Sequence, residues 1–298
     1  MTKKTRSRPF TLFILAFPFI LFLGFLFFLE EPLPPLAPLP NPNAYDDLVK
    51  AGQMIQGPVG LYDQANLETL REMISTNSEA LMAARSALSN QCAVPLQFTK
   101  SYITNHVQDL IAFRNLAHAL VCEGRLAEKE NRFGEAAKSY LEVVRLGSQV
   151  THSGLLVDEM VGVAVWSLGE EQLQGIVTNL DAPECRQTAV QLETLAGDRQ
   201  TWEATLQQEE AWSRRVFGWR GDWLELIYRS TRQKNFTGAL AALDGDEQRE
   251  NRLLVDLAAR AYELDKGRPP ASFADLVPDY LKTIPQDPIT GTNMNFNP

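Results

Sequence analysis

"LVCEGRLAEKENRFGEAAKSYLEVVRLG", residues 120–147, decides how the chain folds. Leading into it, Leu110, Phe113, Ala117, Leu120, Gly124 and Ala127 recur at three- and four-residue intervals, the period of one helical face. Asn131-Arg132-Phe133-Gly134 breaks that series, and Phe133, Ala136, Ala137, Tyr140, Val143 and Val144 restart it. Two antiparallel helices joined by a tight turn are the expectation. Ala117 and Gly124 are small enough to let the returning helix approach closely.

The same period extends in both directions. Leu67, Leu70, Ile74, Leu81, Ala84 and Leu88 read as one face of a single long helix, with Asn77 in its one polar slot. "GLLVDEMVGVAVWSLG", residues 154–169, is the most apolar part of the body and is expected at its centre. In residues 181–197, Asp181 and Glu184 form a capping-box pair, Pro183 sits in the first turn and Gly197 follows the end. The next helix carries Trp202, Leu206, Trp212 and Val216 on one side, and Leu254, Leu257, Ala261 and Leu264 make a last stripe. Period-two alternation is lacking except in a short strand expected near Met294 to Phe296. The fold class expected is mainly α.

Before the body lie two segments of different character. Residues 10–29, "FTLFILAFPFILFLGFLFFL", are 20 residues without a charge. At ~1.5 Å per residue such a helix spans about 30 Å, the thickness of a bilayer's hydrocarbon core. Lys3, Lys4, Arg6 and Arg8 precede it, which keeps the N-terminus in the cytoplasm and exports the body. The run exceeds a signal peptide's apolar region and no small-residue cleavage site follows, so a retained single-pass anchor is expected. Six prolines between Pro32 and Pro42 then favour extended polyproline II, a semi-rigid spacer. The expected organisation is a basic tip (1–9), a transmembrane helix (10–29), a proline-rich linker (30–44), a helical ectodomain (45–246) and a C-terminal helix with an irregular segment (247–298).

Charge narrows the partners. The chain has 28 basic and 37 acidic residues, and without the four cations of the tip 24 basic residues face those 37 acids, a charge of −13. So acidic a body has no general affinity for nucleic acid. His106, His118 and His152 lack the spacing of a zinc motif, and Cys92, Cys122 and Cys185 are far apart in sequence, so no metal or other cofactor is expected. In an exported body one disulfide among the three cysteines is chemically open, and buried thiols are the favoured reading of Cys122 and Cys185. Nucleophile elbows and phosphate-binding glycine loops are missing. The one arrangement with catalytic chemistry is acids beside tryptophans: Asp158 and Glu159 in an apolar helix, and Glu209 and Glu210 near Trp202, Trp212, Trp219 and Trp223. Paired carboxylates hydrolyse glycosidic bonds without a cofactor, so a membrane-tethered hydrolase using Glu209, Glu210 or Asp158 is the alternative function. Against it, Glu210 and Arg214 have the order of a surface ion pair, and helically spaced tryptophans suit a core.

Two resemblances refine this reading. The 120–147 pair resembles a tetratricopeptide hairpin, with Phe133, Ala136 and Tyr140 at its packing positions; a weaker echo is "KNFTGALAAL", residues 234–243. The last 45 or so residues resemble the segment after the long helix in major-type pseudopilins of type II secretion, which is also similar to the ends of uncharacterised membrane-anchored proteins of planctomycete-like bacteria. The elements that carry this are Tyr262, Asp265, Gly267, Pro270, Leu276, Pro285, Asp287, Pro288 and Gly291. The resemblance implies a local fold and carries over no site residue. Phe273, Leu276, Val277, Tyr280, Leu281 and Ile284 supply more apolar surface than a solvated tail carries, so residues 267–298 are expected to dock as an ordered wrap on the preceding helix. The function expected is a membrane-anchored envelope module of the cytoplasmic membrane, working through protein contacts beside a secretion or pilus-like system rather than as an enzyme.

Overall fold

The computed structural model describes residues 38–218, 245–288, 290–294 and 296. They form helices α1 Tyr45–Met54, α2 Leu67–Thr76, α3 Ser78–Leu88, α4 Tyr102–Lys129, α5 Phe133–Gln149, α6 Leu156–Ile176, α7 Ala182–Gly197 and α8 Trp202–Phe217, then α9 over 245–266. Among the described residues there is no strand, and the fold is mainly α. No helix among them is long and apolar enough to cross a membrane. The anchor expected at 10–29, most of the linker, Trp219, Trp223 and the 234–243 echo lie outside the described residues.

The expected hairpin is α4 and α5. The chain reverses at Asn131, whose φ of 59° is left-handed, and the Arg132 amide donates to the Ala127 carbonyl at 2.8 Å. Asparagine tolerates that backbone region better than most residues. A Cβ on Gly124 would come within 2.2 Å of the Tyr140 ring, so glycine is what admits the ring between the two helices. Arg85 of α3 clamps this pair from outside, bonding Glu123 on α4 and Glu142 on α5.

Helix α6 packs against α4, α5 and α8, which is the central place its apolar sequence indicates. Its approach to α5 is close enough for backbone contact: a Cβ on Gly147 would meet the Trp166 nitrogen at 2.6 Å, and one on Gly162 the Gly147 carbonyl oxygen at 2.7 Å. Trp166, at that crossing, and Leu173 two turns beyond it are buried. The capping box of α7 forms as its sequence indicates, with Glu184 N–H donating to Asp181 and Asp181 N–H to Glu184.

Three expectations are corrected. The long helix through Asn77 is two helices, because the Asn77 amide pairs with the Gln56 backbone, accepting from its N–H at 2.7 Å and donating to its carbonyl at 3.0 Å. Asn77 thus adopts φ −102°, ψ 10°, outside the helical region, and the axis breaks there. Leu264 does not belong to the buried stripe of α9, being 42 % exposed while Leu254, Leu257 and Ala261 are buried. In place of a strand at 294–296 there is one antiparallel bridge, Gln286 to Asn293.

After α9 ends at Gly267, with φ +69°, the chain turns back along the helix. Phe273, Leu276 and Leu281 are buried, and Val277, Tyr280 and Ile284 pack at the edge of the same core. Each large side chain so buried contributes ~1.5–3 kcal/mol. Polar contacts fix the register: Tyr262 Oη donates to Asp275 at 3.3 Å, Tyr280 Oη to Asp265 at 2.9 Å, and Lys282 pairs with Glu193 of α7 at 2.7 Å.

Candidate functional site

Asp158 sits in the first turn of α6 and is fully buried. One carboxylate oxygen accepts from the Leu155 N–H at 2.7 Å; the other meets His106 Nε2 of α4 at 2.5 Å. His106 Nδ1 lies 3.2 Å from Tyr45 Oη and 3.3 Å from Asp109 Oδ2, and the Tyr45 hydroxyl donates to Asp109 at 3.0 Å. Tyr102 stacks on the imidazole with 4.9 Å between centroids, and Trp212 packs on Tyr102. Burial alone would push the His106 pKa down; the hydrogen bond to Asp158 and the charges of Asp158 and Asp109 outweigh it and raise the pKa above its ordinary value. Both ring nitrogens thus have oxygen partners within hydrogen-bond reach. This cluster joins α1, α4 and α6 inside the core.

The other acids singled out from sequence do different work. Glu209 of α8 accepts from the Leu156 N–H at 3.0 Å, so with Asp158 it answers the positive end of the α6 dipole. Glu210 faces elsewhere, paired to Arg214 at 2.8 Å and half exposed. Glu159 is buried near Thr205 and Arg199, its pKa raised by burial. Asp158 and Glu209 are therefore brought to one helix end, Glu210 is not, and each takes a structural hydrogen bond or ion pair. Trp212 donates its indole N–H to the Gln97 carbonyl at 2.9 Å, as a core tryptophan does.

A second acidic cluster escapes sequence reasoning. Glu170 at the far end of α6 accepts from Trp166 Nε1 at 2.7 Å, while its other oxygen is buried without a partner. Asp246 and Glu250 of α9 stand near it. Arg199, seated over the Trp166 ring, pairs with Asp246 at 3.0 Å and Glu250 at 3.7 Å; Arg249 also reaches Asp246. Burial, then the like charges of Asp246 and Glu250, pushes Glu170 up to about 9, and burial pushes Glu250 up to about 7. The one sequence cue is Trp166 and Glu170 at i,i+4 in an apolar helix.

Open space among the described residues also lies between α5 and α7. Two adjoining hollows of about 640 and 340 Å³ are walled by these helices and share Gln191. The larger opens toward Leu88–Ala93 and His152, the smaller toward the 131–135 turn. Lys138 and Arg145 line the α5 wall, and Gln187, Gln191 and Thr194 the α7 wall.

Among the described residues no group of three or more His, Cys, Asp or Glu side chains is arranged to hold a metal ion. Cys92, Cys122 and Cys185 are all buried thiols without a disulfide. Burial holds Cys92 and Cys122 up at about 12 and Cys185 at about 11, far from a reactive thiolate. The chain matches no protein-family model, no curated protein and no solved structure.

Proposed function

We propose that this is a single-pass protein of a bacterial cytoplasmic membrane, its N-terminus in the cytoplasm, whose helical body acts outside the cytoplasm through protein contacts beside a secretion or pilus-like apparatus. The topology rests on the uncharged run at 10–29 behind four cations. The association with a secretion apparatus rests on the pseudopilin-like C-terminal segment, and the contact role on the tetratricopeptide-like hairpin.

One observation carries the choice of contact over catalysis. Asp158 is wholly buried on His106, Glu209 caps a helix, Glu210 is tied to Arg214, and the large hollow is walled by other residues. A hydrolase would need two of these acids facing one another across an open cleft at a fixed separation. That geometry supports the binding reading and disfavours the hydrolase.

Two measurements test it. A reporter fused at the C-terminus is expected to be active outside the cytoplasm and inactive within it, with the chain remaining in the membrane fraction; activity confined to the cytoplasm refutes the topology. In-cell crosslinking followed by purification from membranes is expected to yield a defined protein partner, and recovery of the protein alone refutes the contact role.

A further inference from the structure

We infer that the groove between α5 and α7 holds an extended peptide segment of a partner protein, with acidic side chains at positions i and i+3 of that segment; this deepens the contact role proposed above and rests on it.

The α5 wall supplies the charge. Lys138 and Arg145 both line the groove, and neither has an ion pair or side-chain hydrogen bond among the described residues. Of the other cations on the hairpin, Arg125 and Arg132 have carboxylate partners, while Arg114 and Lys129 have no ion pair among the described residues but do not line the groove. Positions 138 and 145 are seven residues apart, two turns of helix, so they share a face at a separation of about 10.5 Å. In a polyproline II-like extended chain, with three residues per turn and a rise of ~3.1 Å, side chains at i and i+3 share a face about 9 Å apart, which sets the two carboxylates at those positions.

The α7 wall supplies what a peptide backbone needs. Gln187 and Gln191 lie one turn apart, and their amides have no hydrogen-bond partner among the described residues. Gln149 is held by its nitrogen, which donates to the Leu88 and Asn90 carbonyls at 3.1 and 3.2 Å, while its oxygen is left without a partner. Side-chain amides offer a donor and an acceptor each, the pattern of a peptide bond. A uniform polyanion suits the groove less well. The Asp198 carboxylate stands at one mouth without a partner among the described residues, and the acidic body repels a long anionic chain. The other wall carboxylates are engaged, Glu135 by Arg132 and Glu184 by the Asp181 amide.

The test uses the full chain in detergent micelles and fluorescein-labelled pools of random octapeptides, one pool with glutamate fixed at positions 3 and 6, the other with glutamine there. Fluorescence polarisation is expected to show several-fold tighter binding of the glutamate pool, weakening as salt is added. Lys138→Ala and Arg145→Ala are each expected to reduce that binding roughly two- to fivefold, as for partly exposed charge pairs. Their melting midpoints should match the parent, because neither side chain has a partner to lose. Equal binding of the two pools, or unchanged binding by both variants, overturns the inference, and a heparin oligosaccharide bound as tightly as the glutamate pool overturns it in favour of a polyanion surface. If the Lys138→Ala, Arg145→Ala double variant still captures the partner crosslinked by the parent, the groove is wrong and the contact role stands. If the glutamate pool binds as expected but no partner is ever crosslinked, the groove stands and the contact role in the cell fails.

Discussion

Helix α6 buries a carboxylate near each end, and the two are stabilised in opposite ways. Asp158 and Glu170 are twelve residues apart, about 18 Å along the axis, and are 0 and 2 % exposed. Asp158 is answered by its surroundings: the His106 ring nitrogen, the Leu155 N–H and the N-terminal end of the helix dipole. Glu170 stands among Asp246 and Glu250 with one indole N–H and a shared arginine, so it keeps a proton instead. Burying a carboxyl group thus requires either a partner or neutrality, and Asp158 and Glu170 take one course each. The contrast predicts that replacing the two carboxyl groups changes stability with opposite sign.

The largest effect comes from uncovering the Glu170 end. Deleting residues 268–298 removes the buried Phe273, Leu276 and Leu281, at ~1.5–3 kcal/mol each, from their seats along α9. The helix that carries Asp246 and Glu250 then exposes Leu254, Leu257 and Ala261. The truncated protein is expected to aggregate or to melt well below the parent, and limited proteolysis of the intact chain should not release the tail first. An unchanged melting midpoint would show that the segment does not hold α9 in place.

Next in size is Asp158→Ala, which leaves His106 buried beside Asp109 alone. Removing one partner of a buried pair typically costs ~3–5 kcal/mol. Because the His106 pKa is raised in the fold, the stabilisation from protonating it is fully present below the unfolded value near 6.5 and is lost as pH rises through the folded value. Chemical denaturation of the variant between pH 5 and 9 is therefore expected to lack that component of the parent's slope. A cost below ~1 kcal/mol would mean the network is dispensable.

Glu170→Gln should do the reverse. Its carboxyl group titrates near 4.5 when unfolded and at about 9 when folded, so the folded state binds more protons across that window. Stability from this group is full below pH 4.5 and declines as pH rises toward 9, at up to ~1.4 kcal/mol per pH unit. Glutamine keeps an acceptor for Trp166 and cannot ionise. The variant is expected to match the parent near pH 4.5 and to exceed it by on the order of 2–4 kcal/mol at pH 8. A variant less stable than the parent at pH 8 would show that Glu170 is held charged.

How far these features could be read from sequence depends on how far their causes lie along the chain. The α4–α5 hairpin, the Asp181–Glu184 cap and the burial of Phe273, Leu276 and Leu281 follow from local spacing, and all three are in the structure. The break at Asn77 was illegible, since its partner Gln56 is 21 residues away and the apolar period runs straight through. The Glu170 cluster draws on Arg199, Asp246 and Glu250, and the His106 cluster on Tyr45 and Asp158, contacts that no period or motif announces. Lys138 and Arg145 look like ordinary solvated charges until the missing partners and the facing glutamines are seen together. Leu264 fits the α9 stripe by spacing yet faces solvent, a reminder that periodicity fixes a face only as wide as the partner that covers it.

The smallest test separates close packing from mere helix propensity, again along α6. Gly162 is wedged against α5, where a Cβ would meet Gly147 O at 2.7 Å and Thr151 Cγ2 at 2.1 Å; Gly175 has nothing within 4 Å of the same position. Alanine at 162 must push backbone against backbone, and overpacking of this kind costs ~1–3 kcal/mol. Alanine at 175 meets open space in a helical residue and removes a glycine's excess chain entropy, a gain of roughly 0.5–1 kcal/mol. The midpoint of urea unfolding should therefore fall for Gly162→Ala and rise slightly for Gly175→Ala, with equal slopes. If both substitutions stabilise, the α5–α6 crossing is looser than the structure has it, and the fixed position of Asp158 at the end of that crossing loses its cause.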